Sequence, residues 1–275
     1  DARSTIVIRC ILSMENECQQ LISMNPKLKI THDASHADMY YLNYNDTTLK
    51  DLRREADKVF AQYIKTHVHP QHTLNSLIND NSFVRDSIDV IKFISNLFDV
   101  TSNQQSHNTN ISFYDLFSKD EVYDLWQAEN VYWYMNYGPS PITKGKVPYS
   151  QSNLLKNMIA SADKAIATGK SSATLRFGHE VCVMPLACLM ELDNCGKNID
   201  NLDELADQWQ NYKIFPMGCN IQMIFYKKAG SKDILVKVLL NENEAKLPIH
   251  SDIAPYYHWK DVENYYRKKL NSFKE

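Results

Sequence analysis

Several features that would assign the sequence to a specialised class are absent. No apolar run approaches the roughly 20 residues that a membrane-spanning helix needs. There are no internal repeats and no low-complexity tract. The net charge of -3 gives no electrostatic argument for a nucleic acid or an anionic membrane as a partner. What is present is a chain of 275 residues, 44% hydrophobic and 23% charged, which is typical of a globular protein with one large domain or two smaller ones.

The six cysteines form neither a dense disulfide framework nor a metal-binding motif. Cys188 and Cys195 are close enough in sequence to form a disulfide if the chain turns between them. The alternative is that the cysteines are small buried thiols, which suits Cys10 and Cys182 in their apolar surroundings. The cysteines therefore leave the redox compartment open.

The opening segment ARSTIVIRCILSMENECQQLI predicts a helix with Ser4 or Thr5 as its N-cap. Its apolar residues recur at helical spacing, so we expect one stripe of side chains to face a core. The residues of this stripe are Ile8, Ile11, Leu12, Cys18 and Ile22.

Helical patterns also dominate the middle of the chain, between residues 46 and 150. A polar loop is predicted at 101–110, followed by a helix whose N-cap Ser118 and Glu121 match a capping box. A further amphipathic helix is predicted over 152–167, with Gly169 ending it.

The last third of the chain contains segments that resemble strands. They are 173–177, 220–228 and 233–241, and the last two flank a short turn and predict a hairpin. A helix closes the chain. We therefore predict an α/β fold in which residues 1–45 and 151–275 form the core and residues 46–150 form a helical insert or cap.

His179 and Glu180 lie side by side between the short apolar run before them and the long apolar run after them. This pattern predicts a strand that leads into the N-terminus of a helix, where exposed N–H groups and the helix dipole favour an anion. There His179 can hydrogen-bond a phosphate oxygen, and Glu180 beside a polyanion is suited to act as a general acid. The alternative is a core histidine bonded to a backbone carbonyl beside a solvated glutamate, and two adjacent residues do not exclude it.

Three other sets of cationic residues are candidates for anion or metal binding. Arg9 falls in the first turn of the predicted opening helix, where a bound anion would explain a cation that the helix dipole disfavours. Its alternative is a surface arginine whose stem covers apolar surface. Lys144 and Lys146 lie in a loop and are either contacts for an anionic substrate or solvated lysines. The segment HVHPQH has no interleaved cysteine or acidic residue, so no metal site is predicted there.

Two segments resemble motifs of the multiple inositol polyphosphate phosphatases, in the acid-phosphatase and phytase branch of the histidine phosphatase superfamily. RSTIVIRCILSM is similar to that branch's RST-x-x-x-R-T-x-x-S segment, and FGHEVCVMPL is similar to its FGH-A-E-T-L-L-P-L block. The resemblance implies that Arg9 and His179 bind the transferred phosphate and that Arg3 supports them. FSKDEVYDLW, FPMGCNIQMIFYKK and VKVLLNENEAKLPI also resemble segments of the family, so the likeness covers most of the chain.

The sequence departs from the family pattern at two points. The inositol-polyphosphate group usually has an acid two residues after the histidine, where this chain has Val181. Glu180 stands where the wider branch has the aspartate of its His-Asp pair, so the resemblance assigns the proton-donor role to Glu180. The family's nucleophilic histidine lies in an RHG-x-R motif upstream of the RST segment, and this chain has no RHG. The resemblance therefore implies an N-terminal segment, outside this chain, that carries the nucleophile.

The implied activity is hydrolysis of inositol polyphosphates such as phytate through a phosphohistidine intermediate. The resemblance implies no cofactor and no metal, and a periplasmic or secreted location. This chain alone is expected to be inactive. Two alternatives remain: a general acid phosphatase or sugar phosphatase, and a non-catalytic phosphate-binding or interaction protein.

Overall fold

The structure is a computed structural model that describes residues 1–47, 49–80, 82, 84 and 87–273. Two small β-sheets and a larger number of helices are described, one sheet parallel and one antiparallel. The predicted α/β class is confirmed.

The parallel sheet is built from three short strands that lie far apart in the sequence. They are β1 (Ala2–Ser4), β2 (His32–Ala34) and β3 (Leu175–Phe177), in the order β2-β1-β3. The prediction that the opening segment is helical from its start, with Ser4 or Thr5 as N-cap, is wrong. The first helix, α1 (Ile8–Met24), has Val7 as its N-cap without a side-chain cap. Pairing with β2 and β3 on both sides holds the first residues extended.

The predicted core-facing stripe of α1 is also wrong for most of its residues. Ile8, Leu12 and Ile22 are 74%, 56% and 42% exposed. Cys18 of the predicted stripe is buried as expected. It shares its face with Cys10 and Met14, which recur at the same helical spacing. Apolar residues lie at helical spacing on two faces of the helix, and only the position of the sheet decides which face is buried.

The middle of the chain is helical, as predicted. The helices described there are α2 (Lys50–His67), α3 (Gln71–Leu77), α4 (Val90–Asn103), α5 (Lys119–Tyr137) and α6 (Ser152–Thr168). The capping box of Ser118 and Glu121 is present, and Gly169 follows α6 in the left-handed conformation that favours glycine, at φ +63°. The predicted loop at 101–110 is wrong in its first half, because α4 continues and a 3-10 turn follows it at Gln104–Ser106.

The last third contains α7 (Glu180–Leu189), two short helices and the antiparallel sheet. The short helices are α8 (Leu205–Gln208) and α9 (Asn211–Ile214). The strands are β4 (Ile221–Lys227), β5 (Ile234–Leu240), β6 (Asn243–Glu244) and β7 (Tyr257–His258), and α10 (Trp259–Ser272) ends the described chain. The hairpin predicted from the two strand patterns is confirmed by the antiparallel pairing of β4 with β5.

One cluster of buried side chains connects the helices of the middle segment with the last third. It includes Ile94 and Tyr134 from the segment predicted to be an insert, and Met184, Val236 and Tyr266 from the predicted core. The division into a core and a helical insert therefore stays a prediction. Among the described helices, none has the length and apolar character required to cross a lipid bilayer. All six cysteines are free thiols, including Cys188 and Cys195.

Candidate functional site

The site lies where β1 and β3 end. Because the two strands are neighbours and parallel, the residues that follow them meet at the same edge of the sheet, which is where ligands bind in open α/β sheets. Thr5 directly follows β1, and its backbone N–H donates to the carbonyl of Phe177 at 3.0 Å. His179 comes after β3 and is the N-cap of α7. The predicted junction of a strand with a helix at His179 and Glu180 is confirmed.

The backbone of His179 begins α7 while its side chain turns back toward α1. Its carbonyl accepts from the N–H groups of Cys182 and Val183, at 2.9 and 3.1 Å. Its side chain makes no hydrogen bond to the helix N-terminus, and the residue is only 5% exposed. The imidazole is therefore a buried polar group whose partners must come from other elements.

Those partners are Arg9 and Thr5. An Nη of Arg9 lies 3.0 Å from Nδ1 of His179, and the Thr5 hydroxyl lies 3.2 Å from Nε2. A guanidinium can only donate, so Nδ1 accepts and the ring proton of the neutral imidazole sits on Nε2. The ring of Tyr44 packs against the imidazole with centroids 4.5 Å apart. The backbone carbonyl proposed as the partner in the alternative interpretation of His179 is not what the ring contacts.

Burial lowers the pKa of His179, and the positive charge of Arg9 lowers it further, while the charge of Glu180 acts in the opposite direction. The imidazole is therefore neutral at pH 7, in agreement with an Nδ1 that accepts a hydrogen bond.

Glu180 is the first residue of α7, and its side chain is exposed at the helix N-terminus. Two thiols, the buried Cys182 and the half-buried Cys219, lie near enough for its negative charge to affect them. Burial, with that charge adding to it, raises the pKa of Cys182 to about 12 and the pKa of Cys219 to about 11. Both thiols are therefore protonated at neutral pH and are not nucleophiles there.

Arg3 is held by carboxylates at the start of the chain and in the β2 region. Its guanidinium lies 2.9 Å from Asp1, 3.4 Å from Asp33 and 3.9 Å from Asp38. The guanidinium of Arg3 is therefore paired with carboxylates beside the sheet, whereas Arg9 is exposed on α1 and contacts His179. A supporting role for Arg3 in the site stays a prediction.

Lys144 and Lys146 line a cavity of 340 Å³ that also includes the C-terminal turn of α7. A helix rises about 1.5 Å per residue, so this end of α7 lies roughly 13 Å along the axis from His179. The structure therefore does not bring these two lysines together with Arg9 and His179, and their predicted role in substrate binding stays a prediction.

The first histidine of the HVHPQH segment makes contacts of another kind. His67 bonds to Asp203 at 3.0 Å and stacks on the ring of Tyr63 at 4.0 Å. Across the residues that the structure describes, no group of three or more His, Cys, Asp or Glu side chains is arranged to hold a metal ion.

Thr5, Cys10 and Tyr44 belong to the site but were not predicted as site residues. Thr5 and Cys10 do fall inside the RST-like segment, so the motif itself was the signal that points to them. Tyr44 lies in a stretch without any motif, and nothing in its sequence surroundings indicates a contact with His179.

Comparison with known proteins defines the class to which this fold and site belong. Residues 12–241 match the model of the histidine phosphatase superfamily (branch 2). The chain therefore belongs to this superfamily. His179 and Glu180 lie within the matched residues, and Arg9 lies just before them. A search of curated proteins finds no match.

Among solved structures, the chain is similar to the multiple inositol polyphosphate phosphatase of Bifidobacterium longum. The complex with inositol hexasulfate has a TM-score of 0.58 at 18% identity, covering 84% of this chain and 58% of that one. The complex with phosphate has a TM-score of 0.58 at 19% identity, with the same coverage. The apo form has a TM-score of 0.57 at 18% identity, covering 83% and 58%. This likeness concerns the fold alone. The match to the family model confirms the resemblance to the histidine phosphatase superfamily that the two motifs indicated. This chain spans 58% of the length of these structures.

Proposed function

We propose that the complete protein hydrolyses phosphomonoesters of inositol polyphosphates, and that this chain supplies its phosphate-binding and proton-donating residues. The observation that carries the proposal is the contact of Arg9 with His179 beside Glu180, at the carboxyl ends of β1 and β3. An exposed guanidinium and the N-terminus of α7 both favour an anion at this position.

In the proposed reaction, a neutral histidine from outside this chain attacks phosphorus. The bond between phosphorus and the inositol oxygen breaks, and Glu180 gives a proton to that oxygen. Water then attacks the phosphohistidine while Glu180 takes a proton from it, which releases phosphate and restores the nucleophile. Arg9 contributes positioned donors and positive charge that stabilise the phosphoryl oxygens during transfer, and His179, whose Nδ1 contacts Arg9, holds its guanidinium in place.

We also propose that the nucleophilic histidine lies on a segment with an RHG-x-R motif that packs near α1. The sequence of this chain has no RHG, and the chain spans 58% of the related structures. The exposed Ile8 and Leu12 lie one turn apart at the end of α1 that carries Arg9, and an apolar neighbour there would bury them. A periplasmic or secreted location remains a prediction from the resemblance.

The first experiment determines which polypeptides the purified protein contains. Denatured intact mass and N-terminal sequencing would show whether a polypeptide with RHG-x-R accompanies the chain that starts at Asp1. We expect activity only when that motif is present, and phytate turnover by the 275-residue chain alone would contradict this.

The second experiment tests the role of Glu180 in the complete protein. Glu180→Ala should lose most phosphate release while phytate binding persists, because the leaving oxygen then lacks its proton donor. The matched control is Glu17→Ala, which removes an exposed glutamate from a different helix, α1. Turnover at the wild-type level in Glu180→Ala would refute the assignment.

Preference for small monoesters would indicate a general acid or sugar phosphatase, and phytate binding without turnover by wild type would indicate a non-catalytic protein.

A further inference from the structure

Thr5 is a buried hydroxyl held in place by backbone contacts on both sides of it. The residue is 0% exposed, and its N–H donates to the carbonyl of Phe177 at 3.0 Å. Its own carbonyl accepts from the hydroxyl of Ser4 at 2.8 Å. The side chain is therefore fixed at the end of β1, directly opposite the imidazole of His179.

The donor and acceptor roles around the imidazole follow from the chemistry of its neighbours. Because Arg9 can only donate to Nδ1, the proton of the neutral ring is on Nε2 and requires an acceptor. At 5% exposure the ring has little access to water. The Cys10 sulfur lies 3.7 Å from Nε2 but its thiol donates to the carbonyl of Gly178 at 3.2 Å, so it is the weaker partner. Thr5 is the oxygen acceptor within reach.

We infer that Thr5 is a positioning residue: its hydroxyl accepts from Nε2 of His179, turns Nδ1 toward Arg9, and so orients the guanidinium that meets the phosphate. The inference rests on the proposed function insofar as the anion at Arg9 is the transferred phosphate. One guanidinium N–H contacts Nδ1. Among the described residues no second side-chain partner of the exposed Arg9 guanidinium is found, so its other N–H groups can donate to oxygen atoms of an anion.

The test compares Thr5→Val, which keeps the shape but removes the hydroxyl, with Thr5→Ser, which keeps the hydroxyl. Thr168→Val at the exposed end of α6 is the matched control. Long-range proton–nitrogen NMR on the labelled 275-residue chain reports which nitrogen of His179 carries the proton and how fast that proton exchanges with water. Titration with inorganic phosphate reports the affinity of the site.

We expect wild type and Thr5→Ser to show a neutral His179 with a slowly exchanging proton on Nε2. In Thr5→Val this proton loses its acceptor and should exchange with water faster than in wild type. The dissociation constant for phosphate should rise about tenfold, the effect of one buried hydrogen bond. The control variant should match wild type in both measurements.

A proton on Nδ1 in wild type would overturn the inference, as would unchanged Nε2 exchange and phosphate affinity in Thr5→Val. If Thr5→Val does not fold, the wild-type and Thr5→Ser spectra still decide, because both must carry the slowly exchanging proton. If wild type binds no phosphate, this chain alone does not supply the phosphate-binding residues, and the NMR comparison by itself decides the role of Thr5.

Discussion

Glu121 is a buried carboxylate that joins α3 to α5, and its substitution is expected to destabilise the protein strongly. It is 5% exposed. One carboxylate oxygen accepts from the backbone N–H of Thr73 at 3.1 Å, and the other accepts from the Thr73 hydroxyl at 2.8 Å and the Ser118 N–H at 3.0 Å. Burial raises the pKa of Glu121, but these hydrogen bonds outweigh burial and the pKa lies below its ordinary value.

The magnitude for Glu121→Ala follows from these contacts. Losing the capping box costs about 1 kcal/mol. Thr73 is 0% exposed, so its N–H and hydroxyl lose their acceptor in a place without water. A buried donor without an acceptor costs about 1–3 kcal/mol, so the two donors and the lost capping box together cost about 3–7 kcal/mol. This is a large share of the roughly 5–15 kcal/mol that stabilises a typical folded protein.

Urea unfolding followed by circular dichroism measures this loss. The matched control is Glu55→Ala, because Glu55 is 61% exposed in its ion pair with Lys58 and should change the free energy of unfolding by less than about 0.5 kcal/mol. Since the pKa of Glu121 is lowered in the folded state, its stabilisation is present above about pH 4.5 and is lost as the pH falls through the folded value. A decrease of less than about 1 kcal/mol in the free energy of unfolding of Glu121→Ala at pH 7 would refute this reasoning.

Two histidines should affect the pH dependence of stability with opposite sign. The pKa of His179 is lowered, first by burial, so wild type should lose stability on acidification below about pH 6.5, and His179→Gln should flatten this slope. A hydrogen bond to Asp233 raises the pKa of His258, so the stabilisation by His258 is present below about pH 6.5 and is lost at higher pH. His258→Gln should remove this pH dependence. For either histidine, an equal slope of unfolding free energy against pH in wild type and variant would contradict the prediction. Gly138→Ala should destabilise by about 1–3 kcal/mol, because the added Cβ lies 2.6 Å from the carbonyl oxygen of Tyr134, which is backbone and cannot move away. Gly178→Ala is its control, because a Cβ there lies 3.9 Å from the nearest side-chain atom. Equal stability of the two variants would show that the backbone at the end of α5 shifts to accommodate the added Cβ.

Features with a local cause could be predicted from the sequence. The capping box of Ser118 and Glu121 and the helix end at Gly169 depend on residues within a few positions of each other. The hairpin of β4 and β5 follows from two alternating strands around a short turn. The placement of His179 and Glu180 at the start of a helix follows from the change of pattern between two adjacent apolar runs.

Features that depend on distant partners could not be predicted from periodicity. The first residues of the chain are a strand because they pair with β2 and β3, and β3 is more than 170 positions away. The two apolar stripes of α1 have the same period, so only contact with the sheet buries Cys10, Met14 and Cys18 and leaves Ile8 and Leu12 exposed.

The sequence by itself determined the family, the junction at His179 and Glu180, and the candidate role of Arg9, because each of these lies in a short motif. Only the tertiary structure decided that Arg9 and Thr5 contact the two nitrogens of His179, and that Lys144 and Lys146 line a cavity at the far end of α7. The physical reason is that hydrogen bonds of a buried ring come from whichever elements the fold packs against it, and spacing along the chain carries no information about them.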